Sequence, residues 1–210
     1  MDNEQYANGL YKEDSQLEMV KKGIQAEGMP EISISPGYGR LLTMLVQMSG
    51  SKAALEIGAL GGYSGICIAR GLSEGGMLTS LELEQKYADV AGRHLQEAGL
   101  GGKVQYRVGD AKATLAALAE EGHRYDFFFI DADKEGYPVY LDWALKLAEP
   151  GAIIVGDNVL LRGRVTNEEK QGPSVAAMRE FNKRIAEDER LTSTVLPGYD
   201  GLAIAVVNGR

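Results

Sequence analysis

The sequence predicts a single α/β domain. Its expected core is a doubly wound, seven-stranded, mostly parallel sheet with an antiparallel strand in a C-terminal hairpin and extra helices at the N-terminus. Three observations carry that prediction. From Lys52 onward, short apolar runs alternate with helical stretches, the signature of strands linked by helical crossovers. The runs FFFI and AIIV are unbroken, as expected of strands covered by helices on both faces. The last two apolar runs flank the turn GYDG, so they form a hairpin in which one strand must run antiparallel.

Taken in order, residues 1–50 read as a helical cap and 51–210 as the core. Helices are predicted at 16–27 and 37–49, the second from Leu41, Leu42, Leu45 and Met48 at helical spacing, with Pro30 and Pro36 bracketing the non-helical EISIS. Strands are predicted at 53–57, 77–83, 103–108, 126–130 and 152–155, with helices at about 63–72, 85–98, 111–121 and 137–148 between them. A helix at 174–188 and the two hairpin strands complete the chain.

The composition narrows the function. An apolar fraction of 44% and a charged fraction of 25% are those of a globular protein. A single cysteine, Cys67, fits a reducing compartment and is expected in the core. MDNEQYANGLYKEDSQ has no apolar core of a signal peptide, and no run of eighteen apolar residues predicts a membrane helix, so a cytoplasmic location is expected. A net charge of −8 with no basic stripe opposes nucleic-acid binding and favours a small-molecule substrate. His94 and His123 are expected on helix surfaces or ends, without partners and without zinc spacing.

Two regions carry candidate chemistry. After the first strand comes Glu56-Ile57-Gly58-Ala59-Leu60-Gly61-Gly62-Tyr63-Ser64, a glycine-rich turn opening a helix, which lets a ligand approach the backbone. The second strand ends in Glu82, where an acid can accept hydrogen bonds from ribose hydroxyls. The dinucleotide fingerprint fails at Leu60, whereas Glu-x-Gly-x-x-x-Gly-x-Ser resembles the first motif of class I S-adenosylmethionine-dependent methyltransferases. Gly109-Asp110-Ala111 follows the third strand, where that class contacts adenine. The second region lies where strands four and five run into Asp131-Ala132-Asp133-Lys134 and Asp157-Asn158. If those strands are adjacent, Asp131, Asp157 and Asn158 converge as hard oxygen ligands for Mg²⁺, Mn²⁺ or Ca²⁺. Lys134 could serve there as a general base. Capping roles for the two aspartates and a plain surface role for the lysine are the competing readings.

Together LEIGALGGYS, SLE, VGDA, FFFIDADKEGY and GDNVLLRGRV resemble the cation-dependent O-methyltransferases that include the catechol and caffeoyl-CoA enzymes, on a Rossmann-like fold. The resemblance implies a cytoplasmic homodimer that uses S-adenosyl-L-methionine and a divalent cation, Mg²⁺ first, to methylate a small hydroxylated acceptor. It implies Lys134 as catalytic base, Asp131, Asp157 and Asn158 as metal ligands, and Glu56, Gly58, Gly62, Tyr63, Ser64, Glu82, Asp110, Ala111 and Asp131 as cofactor-binding residues. Tyr63 could equally pack in the core, and Leu60 stands where some members carry a tyrosine against the cofactor.

Three alternatives stand beside this reading. A nicotinamide oxidoreductase lacks its fingerprint and a Tyr-x-x-x-Lys pair here. A methyltransferase of RNA or protein is opposed by the acidic charge and by GDNVL in place of Asn/Asp-Pro-Pro-Tyr. A non-catalytic binding module is opposed by the intact set Asp131, Lys134, Asp157 and Asn158.

Overall fold

The computed structural model describes residues 1–209. Helices and strands alternate along the chain as α1 (Asn3–Gly9), α2 (Ser15–Ala26), α3 (Pro36–Ser49), β1 (Ala53–Ile57), α4 (Tyr63–Gly71), β2 (Met77–Glu82), α5 (Gln85–Glu97) and β3 (Val104–Val108). They continue as α6 (Ala111–Glu120), β4 (Tyr125–Ile130), α7 (Tyr137–Leu147), β5 (Ala148–Asp157), α8 (Pro173–Glu187), β6 (Leu191–Leu196) and β7 (Leu202–Val207). Among the described residues the strands form one seven-stranded sheet in the order β3-β2-β1-β4-β5-β7-β6. The predicted α/β class, strand number and N-terminal helices are those observed. The chain divides into two compact units, Met1–Ala111 and Lys112–Arg210.

In the first unit β1, β2 and β3 pair in parallel, from Ala53 opposite Met77 and Leu78 opposite Val104. The cap contains one more helix than expected. α1 forms because Asp2 and Gln5 make a capping box, each side chain bonding the other's backbone N–H. α2 starts where the Asp14 carboxylate accepts from Leu17 N, and buries Leu17, Val20 and Ile24 at helical spacing. α3 starts at Ser35-Pro36 and ends at Gly50, whose φ of 66° suits glycine. Its buried stripe is Tyr38, Leu42 and Val46, whereas Met48 faces outward. The sequence stripe Leu41–Leu42–Leu45–Met48 was therefore rotated from the true one. Unlike a fully buried strand, the helix carries apolar residues on more than one face, so composition alone did not select the core side.

In the second unit β4 and β5 are parallel neighbours, with Phe127 to Ile130 opposite Ile153 to Gly156. Phe127, Phe128, Phe129 and Ile130 are completely buried, as their unbroken apolar run foretold. β7 runs antiparallel to both β5 and β6, which is the predicted antiparallel hairpin strand. β5 begins earlier than expected, at Ala148, which pairs with Tyr125; the exposed Glu149-Pro150-Gly151 then forms an irregularity, with Gly151 at a left-handed φ of 83°, before Ile153 pairs with Phe127. Across the strand ends, Gly156 admits the ring of Phe181 from α8. A Cβ there would sit 2.9 Å from Phe181 Cζ, so the helix approaches the β5 tip closely.

Candidate active site

One half of the candidate residues, those of the first unit, lies at the turn between β1 and α4. Gly58 and Gly62 take left-handed φ values of 99° and 85°, and Leu60, also left-handed at 46°, is held there by a carboxylate. Glu82 Oε2 accepts the backbone N–H groups of Leu60 at 2.8 Å and Ala59 at 3.1 Å, while Oε1 accepts that of Glu84 at 3.1 Å. The acid assigned to ribose thus also shapes the turn. Glu56 is completely buried in β1, and the hydroxyls of Ser64 and Ser80 each donate to one of its oxygens at 2.5 Å. Glu56 and Ser64 therefore lock α4 onto the sheet.

The other residues assigned to the cofactor fall into two groups. Gly62 opens α4 without a side-chain cap, which leaves the first amides of the helix for a ligand. Gly109 N bonds Glu82 O at 2.9 Å, bringing the segment that leads to Asp110 and Ala111 to the same strand end. Asp110 is exposed, and Ala111 begins α6. Tyr63 is buried, 3% exposed, with Lys21 Nζ 5.6 Å from its ring centre. Burial raises its phenol pKa far above the ordinary value.

Two readings from sequence need correction here. His94 is buried rather than exposed, and its Nδ1 lies 2.7 Å from Gly61 O, so the imidazole props the glycine turn. His123 likewise has a partner, the Glu121 carboxylate at 3.1 Å. The α5 stripe that carries His94 is amphipathic, and a polar residue on its inner face carries no signal of its own. α2 covers this turn closely: a Cβ on Gly61 would lie 2.2 Å from Ile24 Cγ1, so only glycine fits beneath the helix. Cys67 is buried in α4 with its thiol pushed up to about 12 by burial, which suits a core residue and not a nucleophile.

The other half of the candidate residues, those of the second unit, lies at the adjacent tips of β4 and β5. Lys134 Nζ donates to Asp131 Oδ1 at 2.8 Å, to the Tyr137 hydroxyl at 2.8 Å and to Asn158 Oδ1 at 3.4 Å. Asp157 is 3% exposed and accepts from Asn158 N at 2.8 Å. Burial and then the charge on Asp131 push the Asp157 carboxyl well above the usual carboxylate range, against the pull of Asn158 N–H and the Lys134 ammonium. The structure thus brings Asp131, Lys134, Asp157 and Asn158 together, as the adjacency of strands four and five requires. No group of three or more His, Cys, Asp or Glu able to hold a metal occurs among the described residues, since this set has two carboxylates and a carboxamide.

Several residues around this half had no role in the sequence reading. Asn158 has a left-handed φ of 57°, as do Leu161 and Arg162, and the loop they form is tied down at several points. Leu160 N bonds Asp200 O at 2.9 Å, Arg162 N bonds the Asp200 carboxylate, and Asn182 Nδ2 bonds Val159 O at 2.8 Å. Asn182 Oδ1 is buried without a hydrogen-bond partner. Tyr137 is the most central of the residues overlooked. Its place three residues after Lys134 on the same helical turn was the available signal.

Comparison with known proteins agrees with this architecture. Residues 7–207 match the family model described as O-methyltransferase. A catechol O-methyltransferase of Niastella koreensis is 41% identical over 93% of this chain and 91% of its own length. A catechol O-methyltransferase of Mycobacterium tuberculosis is 38% identical over 94% of this chain and 91% of its own. The crystal structure of the O-methyltransferase from Bacillus cereus in complex with SAH superposes with a TM-score of 0.91 at 42% identity, covering 97% of this chain and 96% of that one. That of a Streptomyces achromogenes O-methyltransferase involved in tomaymycin synthesis, in complex with SAM, gives 0.89 at 36% identity over 98% and 95%. A family match across nearly the whole chain, with the glycine turn and the paired strand tips inside it, shows that this chain belongs to the O-methyltransferases.

Proposed function

We propose that the chain transfers a methyl group from S-adenosylmethionine to an oxygen of a small vicinal dihydroxy compound, with a divalent cation at Asp131, Asp157 and Asn158. The observation that carries this reading is the cluster at the β4 and β5 tips, where a lone ammonium, Lys134, contacts Asp131 and Asn158 beside a second, buried carboxylate. Two negative charges against one positive charge favour a further cation, and the donors are all hard oxygens, which suit Mg²⁺ before Mn²⁺ or Ca²⁺. The relatives named as catechol O-methyltransferases support a catechol-like acceptor.

S-adenosylmethionine, when bound, supplies an electrophilic methyl whose bond to sulfur breaks as its bond to the acceptor oxygen forms. A cation held by the three oxygens would act as a Lewis acid that lowers the pKa of a neighbouring hydroxyl. The chain's own groups do the rest. Glu82, fixed by three backbone N–H groups, keeps lone pairs for the ribose hydroxyls. Gly58, Gly62 and the uncapped start of α4 receive the methionine portion. Lys134 Nζ, held at Asp131 and Asn158, is the group placed to receive the hydroxyl proton. Holding donor and acceptor in line supplies much of the rate.

A second copy of the chain is the proposed partner. Tyr6, Leu10 and Tyr11 around α1 and Met44 and Met48 on α3 are exposed apolar side chains, more than solvent contact alone favours on one helical cap. No helix among the described residues is long and apolar enough to cross a membrane, and a cytoplasmic setting is proposed with the rest.

The test is turnover of catechol with labelled S-adenosylmethionine, with Mg²⁺ or with excess chelator, in the wild type and Asp131→Ala. Turnover should vanish in chelator and in the variant, while S-adenosylhomocysteine still raises the melting temperature of both. Full activity in chelator would falsify the cation reading, and stabilisation by NAD instead would point to an oxidoreductase.

A further inference from the structure

One hydroxyl in the second unit touches three parts of the proposed cation and base cluster, and the reading above gives it no task. Tyr137 stands at the start of α7, completely buried, with its ring edge-on to Phe181 at a centroid distance of 5.1 Å. Lys134 Nζ lies 4.7 Å from the centre of the same ring. The hydroxyl oxygen is 2.7 Å from Asp157 O, 3.0 Å from Ile130 O and 2.8 Å from Lys134 Nζ.

The chemistry of a phenol fixes the direction of these bonds. It has one proton, which it shares between the two carbonyl oxygens, the closer being that of Asp157. Its oxygen lone pairs face Lys134 and accept from the ammonium. The proton stays on: burial, then the charges of Asp131, Asp157 and Asp133, hold the phenol well above its ordinary pKa.

The two carbonyls are well chosen. Ile130 immediately precedes Asp131, and Asp157 immediately precedes Asn158. The β4–β5 pairing extends to Ile130 opposite Gly156, so the hydroxyl clasps the two chains where their ladder ends. Beyond that point the backbone must diverge to present the site residues, and Asn158 does so with a left-handed φ.

Resting on the function proposed above, we infer that Tyr137 is a positioning residue whose hydroxyl clamps the tips of β4 and β5 and Lys134 into one unit, and so sets the spacing of Asp131, Lys134 and Asn158. It is completely buried. It works through the groups it holds.

Tyr137→Phe removes only the oxygen and keeps the packing against Phe181. In the cation-free variant, backbone amide exchange in the peptides covering 130–134 and 156–159 should quicken about tenfold, the loss of one hydrogen bond, with β1, β2 and β3 unchanged. Acetylation of Lys134, followed by peptide mass spectrometry in the same cation-free protein, should quicken by a similar factor. In steady state, kcat should fall about tenfold or more while the KM for S-adenosylmethionine stays within about twofold.

Local exchange and Lys134 labelling that both match the wild type overturn the clamp, and so does faster exchange spread evenly over β1–β3, which signals general loosening. An Mn²⁺ titration of the wild type by electron paramagnetic resonance separates the parent reading. A wild type that binds no Mn²⁺ removes the proposed cation, while exchange and labelling still decide whether Tyr137 clamps the tips.

Discussion

Two pairs of carboxylates sit at strand ends in this chain, and their surroundings differ. In the first unit, Glu56 and Glu82 are surrounded by donors: the Ser64 and Ser80 hydroxyls reach one, and the N–H groups of Ala59, Leu60 and Glu84 reach the other. In the second unit, the carboxylates of Asp131 and Asp157 each accept a single hydrogen bond among the described residues, from Lys134 and from Asn158 N, and they repel one another. The first pair has a donor on every oxygen and builds a turn, with Glu82 keeping only spare lone pairs. The second pair keeps coordination and charge unmet, which is the condition for binding something from outside. Buried acids are therefore not equivalent signals of chemistry. What separates them is how many donors the fold gives each oxygen.

That contrast can be broken by neutralising or depriving each pair in turn. The largest effect is expected from Ser80→Ala, which strips one donor from the completely buried Glu56. It should cost about 1.5–3 kcal/mol in urea unfolding, the range for hydrogen bonds to a charged group. A cost under about 0.5 kcal/mol would mean the carboxylate is not held as described.

Asp157→Asn should act in the opposite direction. The raised carboxyl means that the cation-free native state binds its proton more tightly than the unfolded chain does. Stability is then lost as the pH rises from the ordinary aspartate value of 3.8 through the raised folded one. The asparagine variant should remove that slope and be more stable than the wild type at pH 8 by on the order of 1 kcal/mol, while losing cation binding. Equal slopes in the two proteins, measured by urea unfolding at several pH values in chelator, would show the pair to be as well satisfied as Glu56.

The smallest effect concerns the strap over the glycine turn. The Arg70 guanidinium, bonding Asp14 at 2.5 Å, holds that carboxyl below 3.8 despite some burial. A depressed acid contributes stability above its unfolded pKa and loses it as the pH falls through the folded value. The pair is partly exposed, so Asp14→Asn should cost under about 1 kcal/mol at pH 7, and that cost should shrink as the pH falls through the lowered value. A cost that does not shrink with falling pH would show that the ion pair with Arg70 is not its source.

The sequence alone determined the architecture, because the information is local. Four unbroken apolar residues at Phe127–Ile130 cannot be anything but interior, and the GYDG turn between two apolar runs leaves a hairpin as the compact solution. It also named Asp131, Lys134, Asp157 and Asn158, since strand ends can be counted along the chain. What needed the tertiary structure was every role that depends on a distant partner. His94 looked solvent-facing until Gly61 O lay against it, and Glu82 looked like a ligand contact alone until it was found holding two amides from a turn twenty-odd residues earlier. Tyr137 and Asp200 passed unnoticed because a tyrosine in a helix and an aspartate in a turn are unremarkable until their acceptors and donors are known. A hydrogen bond belongs to two residues, and a linear sequence displays only one of them at a time.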